Sequence, residues 1–137
     1  MTYSLPRLVT LTFALCALPG AASALCAAPP DLNGVWRAND GGTYYVRQAG
    51  TQVWWVGLSS DNGKTWTNVF HGTRSGNVVK GTWADVPRGN VRSGGTLTLN
   101  IAGTTGVLGF TRAGSSGGFG GSKWFMPCDD TVLNPVD

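Results

Sequence analysis

Between Gly41 and Gly76 the chain alternates short β-type runs with glycine-bearing turns, a punctuation that leaves little room for anything but a sheet of short antiparallel strands. The stretch reads GGTYYVRQAG TQVWWVGLSS DNGKTWTNVF HGTRSG and holds Trp54, Trp55 and Trp66, three of the chain's six tryptophans. Val, Thr, Tyr and Trp suit a pleated, half-buried surface, and glycine takes positive φ where a tight turn needs it. There is no Glu in the chain, and Gly is abundant at 21 residues, so helix-forming segments lack support. The spacing predicts eight strands at Gly34–Ala38, Thr43–Gln48, Gln52–Ser59, Thr67–Arg74, Val78–Val86, Thr96–Ile101, Val107–Arg112 and Lys123–Met126. Two longer loops remain, Pro87–Gly95 and a Gly/Ser-rich, mobile Ala113–Ser122.

Hairpin register assigns the faces. With Ala49-Gly50 as a two-residue turn, Val46 faces Val53 and Tyr44 faces Trp55 on one side, while Tyr45 faces Trp54 and Arg47 faces Gln52 on the other. Gly41-Gly42-Thr43 with Ala49-Gly50-Thr51 is echoed by Gly94-Gly95-Thr96 with Ala102-Gly103-Thr104, each preceded by a Gly-x-Trp, at Trp36 and Trp83. Either two four-strand halves or two similar hairpins produce such an echo. In the second copy the same rule pairs Leu97 with Leu108, on the face of Leu99, Ile101 and Phe110, which marks the interior. Alignment then turns Tyr44, Val46, Val53 and Trp55 inward and leaves Tyr45 and Trp54 outside. A turn at Ser75-Gly76 places Phe70, Val79 and Trp83 inside, with His71 and Lys80 outside.

The start of the chain has the form of a secretory leader: a basic stretch to Arg7, an apolar run Leu8–Leu18, and Ala22-Ser23-Ala24 as a cleavage site. Residues 1–24 are therefore expected to leave. A single β-barrel domain of 25–137, with a flexible tail over 129–137, would remain, secreted or periplasmic and outside the membrane. Cys16 departs with the leader. Cys26 and Cys128 then form one disulfide tying the ends, or Cys26 carries a lipid, although Leu25 is large for a lipobox. Nine Lys plus Arg face seven Asp after cleavage, a mildly basic balance scattered singly along the sequence, so no nucleic-acid partner is expected.

Ser59-Ser60-Asp61-Asn62-Gly63-Lys64-Thr65-Trp66 fits Ser-x-Asp-x-Gly-x-Thr-Trp and resembles the Asp-box hairpin of sialidases and other secreted β proteins. In those families the motif is a structural turn away from the catalytic residues. The physical reading agrees: Asp61 bonds the amides of its own turn, Gly63 takes positive φ and Trp66 folds back as an apolar plug. The wider layout, an antiparallel meander opening on Gly34-Val35-Trp36 with its ends tied, resembles the calycin barrels, which include lipocalins and avidins. That resemblance implies an eight-stranded, all-β, antiparallel up-and-down barrel. In lipocalins a basic residue late in the chain packs over the motif's tryptophan; Arg112 is the nearest candidate here, and it precedes the last strand. The polar biotin-binding set of avidins has no match.

Chemistry of the bond-breaking kind has little to draw on. One His and a paired Cys26 and Cys128 leave no metal pattern and no cofactor site. His71 with Asp85 and a serine from Gly114–Gly118 spell a hydrolase only in letters, because no helix follows to build the nucleophile's elbow. Asp40 and Asp61 are turn residues first and paired carboxylates second. The expectation is a binding module with no catalytic residues, not an enzyme. Its first candidate site is a small apolar or planar ligand in the barrel mouth, lined by Trp36, Tyr44, Trp55, Phe70, Trp83 and Phe110. The second is recognition of a glycan or protein by the exposed Tyr45, Trp54 and Arg47, a face that would equally serve a homo-oligomer.

Overall fold

The structure, a computed structural model, describes residues 31–104 and 107–127. The leader, Cys26, Cys128 and the tail lie outside the described residues. Eight strands follow in order: β1 Gly34–Ala38, β2 Thr43–Ala49, β3 Gln52–Leu58, β4 Thr67–Ser75, β5 Val78–Asp85, β6 Gly94–Thr104, β7 Val107–Ser115 and β8 Lys123–Pro127. Each pairs antiparallel with the next, and β8 returns to β1 to close the ring. There is no helix among the described residues. The all-β antiparallel barrel is thus present, and its strand bounds match expectation to within one residue, except that β6 runs on at both ends and β7 at its C-terminal end.

The expected faces hold, but the expected registers do not. Val46 sits opposite Trp55, and Arg47 opposite Trp54, because the β2–β3 turn is Gly50-Thr51, not Ala49-Gly50. Likewise Ser75 pairs with Val78, moving that turn to Gly76-Asn77. Each slip moves the turn one residue along both arms, which preserves the parity of the pairing and therefore the face of every side chain. The largest correction concerns Leu97, which faces Ser115 and not Leu108; Leu108 faces Gly103, and Ile101 faces Phe110. The second copy of the echo therefore lies within strand where the first makes a turn. The observed register sets Ile101 against Phe110, whereas the expected one would have set inward Leu99 and Ile101 against Gly106 and Thr104. An irregularity between Thr98 and Leu99 absorbs the remaining offset.

Inward side chains fill the ring. Trp36 stacks on Phe110 with centroids 3.9 Å apart, and Trp55 on Phe70 at 4.3 Å. Val46, Val53, Val79, Ile101 and Leu108 complete the core toward the short-turn end, where Leu32 is buried and its carbonyl accepts the Trp36 indole N–H at 3.1 Å. Phe110, not Arg112, is the side chain stacked on Trp36. Arg112 instead donates to the Phe119 carbonyl. Space for Tyr44 comes from Gly57 opposite it: a Cβ there would lie 2.5 Å from the tyrosine ring.

At the other end the four longer connections gather, β1–β2, β3–β4, β5–β6 and β7–β8. The Gly/Ser-rich segment there is no loose linker. It lays Phe119 on the core, where the ring meets Trp83 edge-on at 4.8 Å and Trp55 and Trp124 at about 6 Å. The backbone is pinned by Trp83 Nε1 donating to the Ser116 carbonyl at 3.1 Å and Ser93 Oγ to the Gly117 carbonyl at 2.5 Å. Composition pointed to mobility, and burial of one aromatic ring overrode it. Phe119→Ala is expected to destabilise the protein by about 3–5 kcal/mol, while Tyr45→Ala on the outer wall should stay within about 0.5 kcal/mol. Urea denaturation of both variants checks this, and equal losses would show that Phe119 is no part of the core.

Candidate functional site

The mouth is built from turn chemistry. In the β3–β4 connection, Asp61 Oδ1 accepts the Ser59 hydroxyl at 2.5 Å and the amides of Lys64 and Thr65 at 3.0 and 3.1 Å, and Oδ2 accepts the Thr65 hydroxyl at 2.7 Å. Gly63 has φ +84° and Asn62 φ +63°, so the turn uses the left-handed region twice. Trp66 folds back against the core, 5.8 Å from the Tyr44 ring. The hydrogen bonds from Ser59, then those from Thr65, hold the Asp61 carboxyl well below the ordinary range. The hairpin therefore has the geometry that its sequence pattern implied.

Asp40 does comparable work in the β1–β2 connection, its Oδ1 accepting the Gly42 amide at 2.8 Å and its Oδ2 the Tyr44 hydroxyl at 2.6 Å. Burial first, and the hydrogen bond to Asp40 second, push the Tyr44 hydroxyl far above its usual range, so it remains a donor at any physiological pH. Asn68 accepts the Trp55 indole N–H at 2.9 Å. The indole N–H of Trp124 is buried with no hydrogen-bond partner among the described residues. Over this polar layer lies a cavity of about 190 Å³, walled by Trp66, Trp83 and Phe119 and edged by Asp40, Asn68 and Asp85. Asp85 Oδ2 accepts the Ser93 amide at 2.9 Å. Desolvation pushes the Asp85 carboxyl up, against the lowering effects of that amide and of Arg92.

The six expected interior aromatics are brought together, all of them within the buried core. Of these, Trp83 alone borders the mouth cavity. Trp66, Phe119 and Asp85 were not among the expected site residues. Trp66 carried a signal, since the hairpin pattern ends on it, but Phe119 stands alone in a glycine-rich run and had none. The second group also lies where expected in part: Tyr45 and Trp54 are 50% and 40% exposed on the outer wall. Trp54 sits opposite Arg47 and His71 and stacks on the His71 ring at 5.1 Å, so it does not face Tyr45, whose neighbours are Val35 and Val56. His71 points outward while Asp85 edges the mouth, which separates the two members of the hydrolase spelling by the thickness of the wall. Ser116 Oγ is occupied by Thr96. Among the described residues no three His, Cys, Asp or Glu side chains gather.

Comparison with protein-family models, curated proteins and solved structures gives no significant match.

Asp61 makes the hairpin pH-sensitive in a defined direction. Its folded pKa lies below an unfolded value near ~4, so its contribution to stability is complete above that pH and is lost as pH falls below it. Asp85, shifted the other way, favours the folded state most when protonated. Asp61→Ala is expected to lower the urea midpoint at neutral pH and to flatten the decline of that midpoint below about pH 4. Parallel pH profiles for the variant and the parent protein would remove the hairpin from the acid limb.

Proposed function

We propose that this protein is a binding module whose ligand, a small planar molecule of about one ring, sits in the mouth of the barrel. The observation that carries the reading is the cavity between Trp66, Trp83 and Phe119, with a carboxylate at its edge. Apolar cavities of about 150 Å³ accept benzene, so its volume of about 190 Å³ matches a single ring better than a drug-sized molecule. Aromatic side chains meet the ring's faces. Asp85 Oδ1, unlike its partner oxygen, has no hydrogen bond among the described residues and offers an acceptor to a donor group on the ligand. The other five of the six interior aromatics, Trp36, Tyr44, Trp55, Phe70 and Phe110, support the site from beneath, Trp36 packed on Phe110 and Trp55 on Tyr44 and Phe70.

The closed meander opening on Gly34-Val35-Trp36 supports a calycin-like relationship, and the leader pattern supports export, with Cys26 joined to Cys128 in the oxidised protein. Titration with phenol, indole and benzamidine tests the mouth. Saturable binding, read by calorimetry, is expected for at least one of them, weakened at least tenfold by Trp66→Ala and untouched by Trp54→Ala. If no single-ring compound binds saturably, or if Trp66→Ala binds like the parent, the mouth is not the site.

A further inference from the structure

We propose that a second site, independent of the mouth, runs along the outer wall over β4 and β5 and binds an acidic polysaccharide, a sugar polymer bearing carboxylate or sulfate groups. Two depressions follow one another there. The first, about 260 Å³, is bordered by Trp54, Val69, His71, Thr82 and Ala84 with Phe70 and Trp83 at its floor, and the second, about 600 Å³, by Thr73, Ser75, Val78, Lys80, Thr98 and Asn100. They occupy successive rows of the same sheet face, since Val69 pairs with Ala84, His71 with Thr82, Thr73 with Lys80 and Ser75 with Val78. From Val69 to Ser75 a strand rises roughly 20 Å. A furrow of that length is shaped for a chain and is far longer than a single ring requires.

Its charge points to an anion. The charged side chains on the outward strand faces are Arg37, Arg47, Lys80 and Lys123, all cationic and all exposed. The described carboxylates are elsewhere: Asp31 ahead of β1, Asp40 and Asp61 in mouth connections, and Asp85 edging the mouth cavity. Closure of the barrel sets Arg37 and Lys123, on β1 and β8, on the far side of the ring from Lys80 on β5, so the furrow's own cations are Lys80 and, at its Trp54 margin, Arg47; no carboxylate points outward beside them, which leaves a local field that favours an anion. Arg47 stands across from Trp54 on one side of the furrow, and Lys80 lies within it.

Its other groups favour sugar over nucleic acid. The Trp54 ring lies on the His71 ring at an interplanar angle of 14°, and His71 Nε2 is fixed 2.8 Å from Gln52 Oε1. Gln52 in turn reaches the Thr73 hydroxyl at 3.3 Å. The outer face of Trp54 is thus one held platform, suited to the C–H face of a sugar ring, with threonine and serine hydroxyls and an amide beyond it for the sugar's own hydroxyls. Single-stranded nucleic acid calls for a succession of stacking rings in a densely basic groove, and here one platform is followed by a single lysine.

The test uses the full chain with polygalacturonate and dextran sulfate as probes, neutral dextran and oligothymidylate as comparators, and calorimetry as readout. At least one acidic polysaccharide is expected to bind, with affinity falling as NaCl rises from about 50 to about 500 mM. Trp54→Ala and Lys80→Glu should each weaken binding about five- to tenfold, Trp54→Tyr should retain most of it, and Trp66→Ala, which disables the mouth, should leave it unchanged. Unaltered thermal unfolding of Lys80→Glu, a change at a fully outward side chain, separates lost contact from lost fold. The proposal is overturned by failure of both acidic polymers to bind, by equal binding of neutral dextran, by tighter binding of oligothymidylate, or by parental affinity in either Trp54→Ala or Lys80→Glu.

Discussion

Everything in this molecule depends on β1 meeting β8. That seam is the shortest in the ring, with Arg37 facing Phe125 and Ala38 facing Trp124, and it is reinforced from the side by Asn39. The Asn39 amide donates to the Lys123 carbonyl, its Oδ1 accepts the amides of Ser122 and Lys123, and its Nδ2 reaches the Ser122 hydroxyl. From within, Trp124 touches Tyr44, Trp55 and Phe119. Without closure the sheet would present two unpaired edges and an aromatic face to water. With it, the same residues become an interior with no edge.

A ring of eight strands encloses a space that side chains just fill, and here they do so with rings stacked on rings. The packing leaves two recessed surfaces available for the proposed binding, the loop-built mouth and the outer wall. The two differ in kind. The mouth sets aromatic walls beside carboxylates in a space for a single ring, whereas the wall sets one aromatic platform beside cations in a furrow the length of a strand. Trp83 borders both, lining the mouth cavity and the first depression of the wall.

The inward and outward faces were legible because a strand's side chains repeat every two residues, so Tyr44, Trp55, Phe70 and Phe110 were separated correctly from Tyr45, Trp54, His71 and Lys80. The pairings were not legible. Glycine marks a turn without saying which of two neighbouring bonds is its centre: Gly50 leads its turn, and Gly103, in nearly the same local sequence, makes none. The candidate site suffered more than the fold. Phe119 belongs to the mouth only because a glycine-rich segment folds over the barrel end, and Asp85 joins it only because β5 ends there. Leu32 and Trp124, both fully packed, likewise lay outside any pattern of alternation long enough to reveal them.

Sequence by itself determined that this chain makes short antiparallel strands, which side of each is apolar, and that Ser59 to Trp66 closes as a capped hairpin, because each of these is settled by backbone geometry and contacts within a few residues. Tertiary structure alone decided the registers, the cap over the barrel and the placing of Lys80 in a furrow that runs on from Trp54. Those depend on which distant residues share a neighbourhood, and that is settled only when the apolar faces close on a common axis and every strand takes the offset that best packs it against the next.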